Sequence, residues 1–155
     1  MNGQNTGKDF EKRVFAFFKE RGIDVAEQPE IAIAFEGKEQ KSHKFDFKNE
    51  NILVECKANK WTKGDNVPSA KLTNWDVAML CFYLAPKGYK KYFFAKKYYN
   101  QKKSRTLLQY YCTTHCNLIP TDVILVDYDV KAESCTVYTY DKTSQKHTEN
   151  KEFVF

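Results

Sequence analysis

The sequence is short of most features that announce a protein class. No run approaches the roughly 18 apolar residues of a membrane span, and the start, MNGQNTGKDF, carries no apolar signal region. There is no glycine-rich phosphate loop, no Ser–His–Asp or Cys–His pairing, no repeat, no low-complexity tract and no long linker. Cysteines are scattered and odd in number: Cys56, Cys81, Cys112, Cys116 and Cys135. That fits reduced thiols in a cytoplasmic protein better than a disulfide framework. Arginine is scarce, with only Arg13, Arg21 and Arg105 among 25 basic residues. Arginine reads guanine edges through two parallel bonds, whereas lysine is a mobile point charge suited to phosphates. A nucleic-acid partner would therefore be held by its backbone more than read by its bases.

What is present points to one domain, residues 1–155, with 42% hydrophobic and 15% aromatic residues, enough to bury a core. The net charge of +5 is uneven: residues 57–105 carry +10 and the rest −5. Such a block favours a polyanionic partner, and its plain alternative is a solvated lysine face.

Periodicity predicts a helix from Gly7 to Arg21, with Phe10, Val14, Phe17 and Phe18 on one face and Gly22 as its stop. Ile31, Ile33 and Phe35 alternate as in a strand. Residues 43–48 and 51–57 alternate too, with KNEN as the turn. A second helix opens at Pro68-Ser69, buries Leu72, Trp75, Met79 and Phe82, and stops at Pro86-Lys87-Gly88. YKKYFFAKK is a strand, Lys102 to Leu118 a third helix, DVILVDYDV a buried strand and SCTVYTY an edge strand. The order α-β-β-β-α-β-α-β-β implies a mixed α/β domain with helices against a central sheet.

Within KFDFKNENILVECKANK, a two-residue loop at Asn49-Glu50 would pair Asp46 with Leu53. Side chains two apart share a face. Phe45, Phe47, Ile52, Val54 and Cys56 then make a core face, and Asp46, Leu53, Glu55 and Lys57 the opposite one, a cleft open to solvent. Two neighbouring carboxylates repel, and Mg²⁺, which takes oxygen ligands, relieves that. An amine beside them can hold water or steady charge on a phosphate. The plain alternative is a solvent-facing Glu–Lys patch.

Asp46 followed by Glu55-Cys56-Lys57 at the end of an apolar strand resembles the PD-(D/E)XK nuclease superfamily, over roughly Gly7 to Lys97. The resemblance implies a restriction-endonuclease-like core, α-β-β-β-α-β with a mixed central sheet flanked by helices, plus a C-terminal helix and two strands. It also implies Mg²⁺, with Mn²⁺ able to substitute. Asp46, Glu55 and the main-chain carbonyl of Cys56 would hold the metal, Lys57 would serve the water, and Glu11 of GKDFE would assist from the first helix. Phe45 stands where the motif usually has proline.

Lys60, Trp61 and Lys63 form a basic loop past the motif, and Lys71 and Asn74 begin the second helix. Lys60, Lys63 and Lys71 are candidate phosphate contacts, with Trp61 either a stacking platform or a packing anchor. CTTHC, residues 112–116, lacks a second ligand pair, which disfavours zinc. The resemblance thus implies a Mg²⁺-dependent endonuclease of restriction or defence type on DNA. A Holliday-junction or repair nuclease, a catalytically idle nucleic-acid-binding module and a partner for an acidic protein are the alternatives. The chain is short for a restriction enzyme with its own recognition domain, so specificity would need loops, a homodimer or another subunit, and no membrane partner is expected.

Overall fold

The computed structural model describes residues 3–155. The elements in chain order are α1 (Gly3–Glu20), β1 (Ala26–Glu27), β2 (Glu30–Ile33), β3 (Lys41–Lys44), β4 (Phe47–Lys48), β5 (Ile52–Lys57), α2 (Ser69–Leu84), β6 (Lys90–Lys96), β7 (Tyr99–Asn100), β8 (Arg105–Thr106), α3 (Leu107–Thr114), β9 (Val123–Asp129), β10 (Ser134–Asp141) and β11 (Lys146–Glu149). A 3₁₀ turn, Cys116–Leu118, follows α3. Seven strands form a mixed sheet in the order β1-β4-β5-β6-β9-β10-β11. β5, β6 and β9 run parallel, and the remaining pairs are antiparallel. The chain is thus a mixed α/β protein with three helices on a seven-stranded sheet.

The parallel strands are covered on both faces, as such strands require. One face carries Phe47, Ile52, Val54, Tyr92, Phe94 and Val126 and packs on Phe10, Val14, Phe17 and Phe18 of α1. The other carries Leu53, Phe93, Ala95 and Leu125 under Trp75, Met79 and Phe82 of α2 and Leu108 and Tyr111 of α3. α1 ends where expected. Gly22 takes φ +71°, its N–H reaches the Lys19 carbonyl at 3.0 Å, and Ile23 N reaches the Phe18 carbonyl at 2.9 Å. These are the bonds of a left-handed helix stop. Arg21 lies 3.5 Å above the Phe17 ring and closes that end.

Several expectations are corrected. The third helix begins at Leu107, not Lys102, because residues 99–106 fold as a β7–β8 hairpin. Thr106 then caps the helix in a reciprocal box with Gln109. SCTVYTY is not an edge: β11 pairs outside it from Asp141↔Lys146 to Tyr138↔Glu149, so three strands follow α3, not two. Phe35 lies past the end of β2 and is 56% exposed.

The hairpin register also differs. Phe47 pairs with Val54 and Lys48 with Leu53, so the loop has four residues. Turn chemistry decides this. The Asn49 side chain accepts from Asn51 N at 2.7 Å and Ile52 N at 2.9 Å, and Asn49 N donates to the Ile52 carbonyl at 3.1 Å, bonds that the expected Asn49-Glu50 loop cannot make. A shift of two leaves face identity intact, so Phe47, Ile52, Val54 and Cys56 share the α1 side as expected. Phe45 does not join them. The strand breaks at Phe45-Asp46, and the Phe45 ring enters the α2 side, 5.5 Å from Phe82.

Candidate active site

Asp46 is the residue before β4, and its N donates at 3.1 Å to the carbonyl of Val54, the residue that Phe47 faces, which sets it beside β5 near Glu55. The break in the strand frees the Asp46 side chain to reach β5, where its Oδ2 accepts the Cys56 N–H at 2.7 Å. Asp46 and Glu55 are close enough for each to shift the other's ionisation. Glu11, on the third turn of α1, is close enough to Asp46 to be raised by it. Three acids, from α1, from the bend before β4 and from β5, therefore stand in a row, Glu11–Asp46–Glu55.

Their surroundings make ionisation costly. Burial and then the neighbouring Glu55 push the Asp46 carboxyl up to about 8, against smaller lowering effects of the Cys56 N–H and Lys57. Burial and then the Asp46 charge push Glu11 up to about 7. Glu55 is raised mainly by burial. Such shifts gather at sites that bind a cation or move protons, and they also occur in structural clusters. Here the expected open cleft is corrected in part. Glu55 is 7% exposed, covered by the α2 side of the core, while the row opens at Asp46 and Glu11. A cleft of about 480 Å³ lies there, lined by Lys8, Glu11, Lys12, Glu27, Gln28 and Asp46.

Lys57, the last residue of β5, is close enough to lower the pKa of both Asp46 and Glu55. Yet among the described residues its amine makes no ion pair within 4.0 Å of either carboxylate. It borders a 230 Å³ pocket with Thr6, Asn59, Lys71 and Asn74. That pocket adjoins a groove of 1050 Å³ lined by Lys60, Trp61, Lys63, Lys71, Lys96 and Tyr98. The structure thus brings together Lys57, Lys60, Lys63, Lys71 and Asn74, which are spread over 18 positions of the sequence. Lys96 was missed. It ends β6, next to β5 in the sheet, and its signal was the run of lysines after the apolar core of YKKYFFAKK.

Trp61 proves a packing anchor. Its Nε1 donates to the Tyr98 carbonyl at 2.9 Å and its ring packs edge-on to Tyr110 at 5.7 Å. His43 was also missed, and it lies 3.5 Å from Glu55 Oε2. In CTTHC, Cys112 is buried and His115 turns to Asp76 at 2.8 Å, so the three residues do not gather around an ion. That Asp76 borders a separate apolar cavity of about 540 Å³, lined also by Val77, Leu80, Tyr83 and Leu118.

Among the described residues no three His, Cys, Asp or Glu side chains converge on one point as a ready-made metal cage. The three acids form a row, not a cage. Mg²⁺ usually takes one or two protein carboxylates, with waters and substrate phosphate filling the rest. Two adjacent carboxyls that resist joint ionisation are the donor set such an ion suits. Asp46, Glu55 and the Cys56 carbonyl are oxygen donors of that type. Comparison of the chain with family models, curated proteins and solved structures finds no match. The functional reading therefore rests on the geometry of the site and on the motif.

Proposed function

We propose that the protein is a Mg²⁺-dependent endonuclease that hydrolyses DNA phosphodiester bonds, of restriction or defence type, with the PD-(D/E)XK arrangement as its catalytic centre. One observation carries the reading: the acids Glu11, Asp46 and Glu55 stand beside a lysine whose amine is not paired to them, at the head of a groove with four lysines and no acid. A structural ion-pair patch would engage the amine with its acids. This arrangement leaves it available to a water or a phosphate oxygen.

Asp46 and Glu55, with the Cys56 carbonyl, would hold the cation. When bound, it supplies Lewis-acid polarisation of the phosphate and neutralises developing charge. The chain's own residues do the rest. Lys57 orients the attacking water and counters charge on the phosphate oxygens. Glu11, raised by burial and by Asp46, accepts hydrogen bonds from water on the open side of the row. Lys60, Lys63, Lys71 and Lys96 hold the backbone of the strand being cut.

The test is incubation of the protein with supercoiled, linear, single-stranded and branched DNA, with Mg²⁺, Mn²⁺ or EDTA. Cleavage with either ion and none with EDTA is expected. Preference for the branched substrate would favour a Holliday-junction or repair nuclease. Salt-sensitive binding without cleavage would favour a catalytically idle binding module. Absence of both would leave the acidic-protein partner. Sedimentation velocity on the same preparation reads whether the active form is the homodimer.

A further inference from the structure

We propose that His43 is a positioning residue for Glu55, an inference that rests on the nuclease reading above and adds a side chain that the motif does not contain. β1–β2 and β3–β4 are two halves of one long antiparallel hairpin with uninterrupted register, from Ala26↔Lys48 and Glu27↔Phe47 to Glu30↔Lys44 and Ile31↔His43. Between the halves the backbone bends without inserting a residue. Gln28 N donates to the Asp46 carbonyl at 2.9 Å, and Phe45 N to the Pro29 carbonyl at 3.0 Å.

The bend has a local cause. Gln28 adopts φ 53°. That left-handed conformation is uncommon outside glycine, and the following proline disfavours helical conformations at the preceding residue. Strain of this kind persists where surrounding structure over-determines it, and it clusters at functional sites. Here the bend takes the outer half of the hairpin off the sheet, which leaves β2 and β3 as a separate two-stranded sheet. Continued straight along β5 in the β4 register, His43 would lie opposite Ala58, beyond the acids. Bent, it meets Glu55.

Two contacts fix it there. The imidazole stands edge-on to Phe45, with centroids 4.6 Å apart and planes at 84°, and Phe45 itself is fully buried. Its Nε2 lies 3.5 Å from Glu55 Oε2. Among the described residues no lysine or arginine nitrogen comes within 4.0 Å of that carboxylate. A carboxylate 93% removed from solvent needs a donor if it is to keep one orientation. Beside the acid Asp46, His43 is the side chain placed to give it, and it approaches from the other half of the hairpin. Outer partners of this kind orient a metal-binding carboxylate, and their loss typically costs about 10- to 100-fold in metal affinity or activity.

The test compares wild type, His43→Ala and His43→Gln, the last keeping a donor nitrogen near Nε2. Calorimetry measures Mn²⁺ affinity, and cleavage assays measure kcat and KM for DNA. Thermal melts report folding. The expected result for His43→Ala is a loss of about 10-fold or more in both Mn²⁺ affinity and kcat, with KM for DNA little changed. His43→Gln should recover most of each loss. Unchanged Mn²⁺ affinity and kcat in His43→Ala, or a glutamine variant no better than the alanine, overturns the assignment. A wild type that neither binds Mn²⁺ nor cleaves overturns the nuclease reading itself. An active wild type matched by an equally active His43→Ala overturns only the role of His43.

Discussion

Asp46→Asn should make the metal-free protein more stable at alkaline pH while removing its catalysis. The Asp46 carboxyl sits at about 8 in the folded chain, against roughly 4 in an unfolded one. The native state therefore binds this proton more tightly, and stability falls as pH climbs from about 4 to about 8. Glu11, pushed to about 7, and Glu55, also raised, act in the same direction. A shift of that size corresponds to at most about 5 kcal/mol. Residual solvent access and sharing of the proton with Glu55 bring the expectation to about 2–3 kcal/mol. Asparagine keeps an oxygen for the Cys56 N–H and removes the charge. At pH 5 the variant should melt close to wild type, and at pH 9 about 5–10 °C higher without metal. Mg²⁺ should reverse the order, raising the wild-type melting temperature increasingly with pH and the variant's hardly at all, since a bound cation displaces the protons. The assay is a set of melts from pH 5 to 9, with and without Mg²⁺. Metal-free stability that is flat or rising over that range in wild type, or two curves that run parallel, would refute the strained acid row.

Lys57→Met should abolish cleavage and leave Mg²⁺ affinity and the melting temperature close to wild type, because an ammonium does not ligate Mg²⁺ and among the described residues this one is ion-paired to neither Asp46 nor Glu55; calorimetry and a cleavage assay check this. Replacing Lys60, Lys63 and Lys71 with glutamine should weaken DNA binding and reduce the salt slope of its affinity by about 0.9 per lysine removed, as read by fluorescence anisotropy at several salt concentrations. Phe45→Pro would restore the usual residue of the motif, yet it should destabilise the chain by about 4 kcal/mol or more. Proline deletes both the buried ring and the Phe45 N–H bond to Pro29, and denaturant unfolding measures the loss.

The residues that declared themselves in the sequence are those whose burial follows a simple period. Phe10, Val14, Phe17 and Phe18 lie on the buried side of α1, and Leu72, Trp75, Met79 and Phe82 on that of α2, as helical spacing requires. Face identity along β5 was readable for the same reason. Register was not, because it depends on how Asn49 satisfies the backbone of its own turn. β11 escaped notice because it is polar: only His147 points inward, bonding the Val123 carbonyl at 2.8 Å. His43 left no local mark. Its contact with Glu55 depends on a bend at Gln28-Pro29, and Gln-Pro is a pair that composition alone assigns to extended chain.

The position of the site on the sheet follows from chain direction. β5 meets its neighbours in two ways, antiparallel to β4 and parallel to β6. The antiparallel side supplies Asp46, which stands just before β4 and accepts the Cys56 N–H of β5 at 2.7 Å. The parallel side supplies the groove. β5 and β6 end at the same edge, Lys57 beside Ala95 and Lys96 one residue further, so the lysines that follow each strand project to one place. Ligands in sheets with parallel strands collect at such carboxyl ends. A strand paired antiparallel on both sides would end at the edge opposite to both neighbours, away from the lysines that follow them. A strand paired parallel on both sides would leave Glu55 without Asp46. With one partner of each kind, a row of acids that repels itself lies beside a groove lined by four lysines, and Lys57 stands between them.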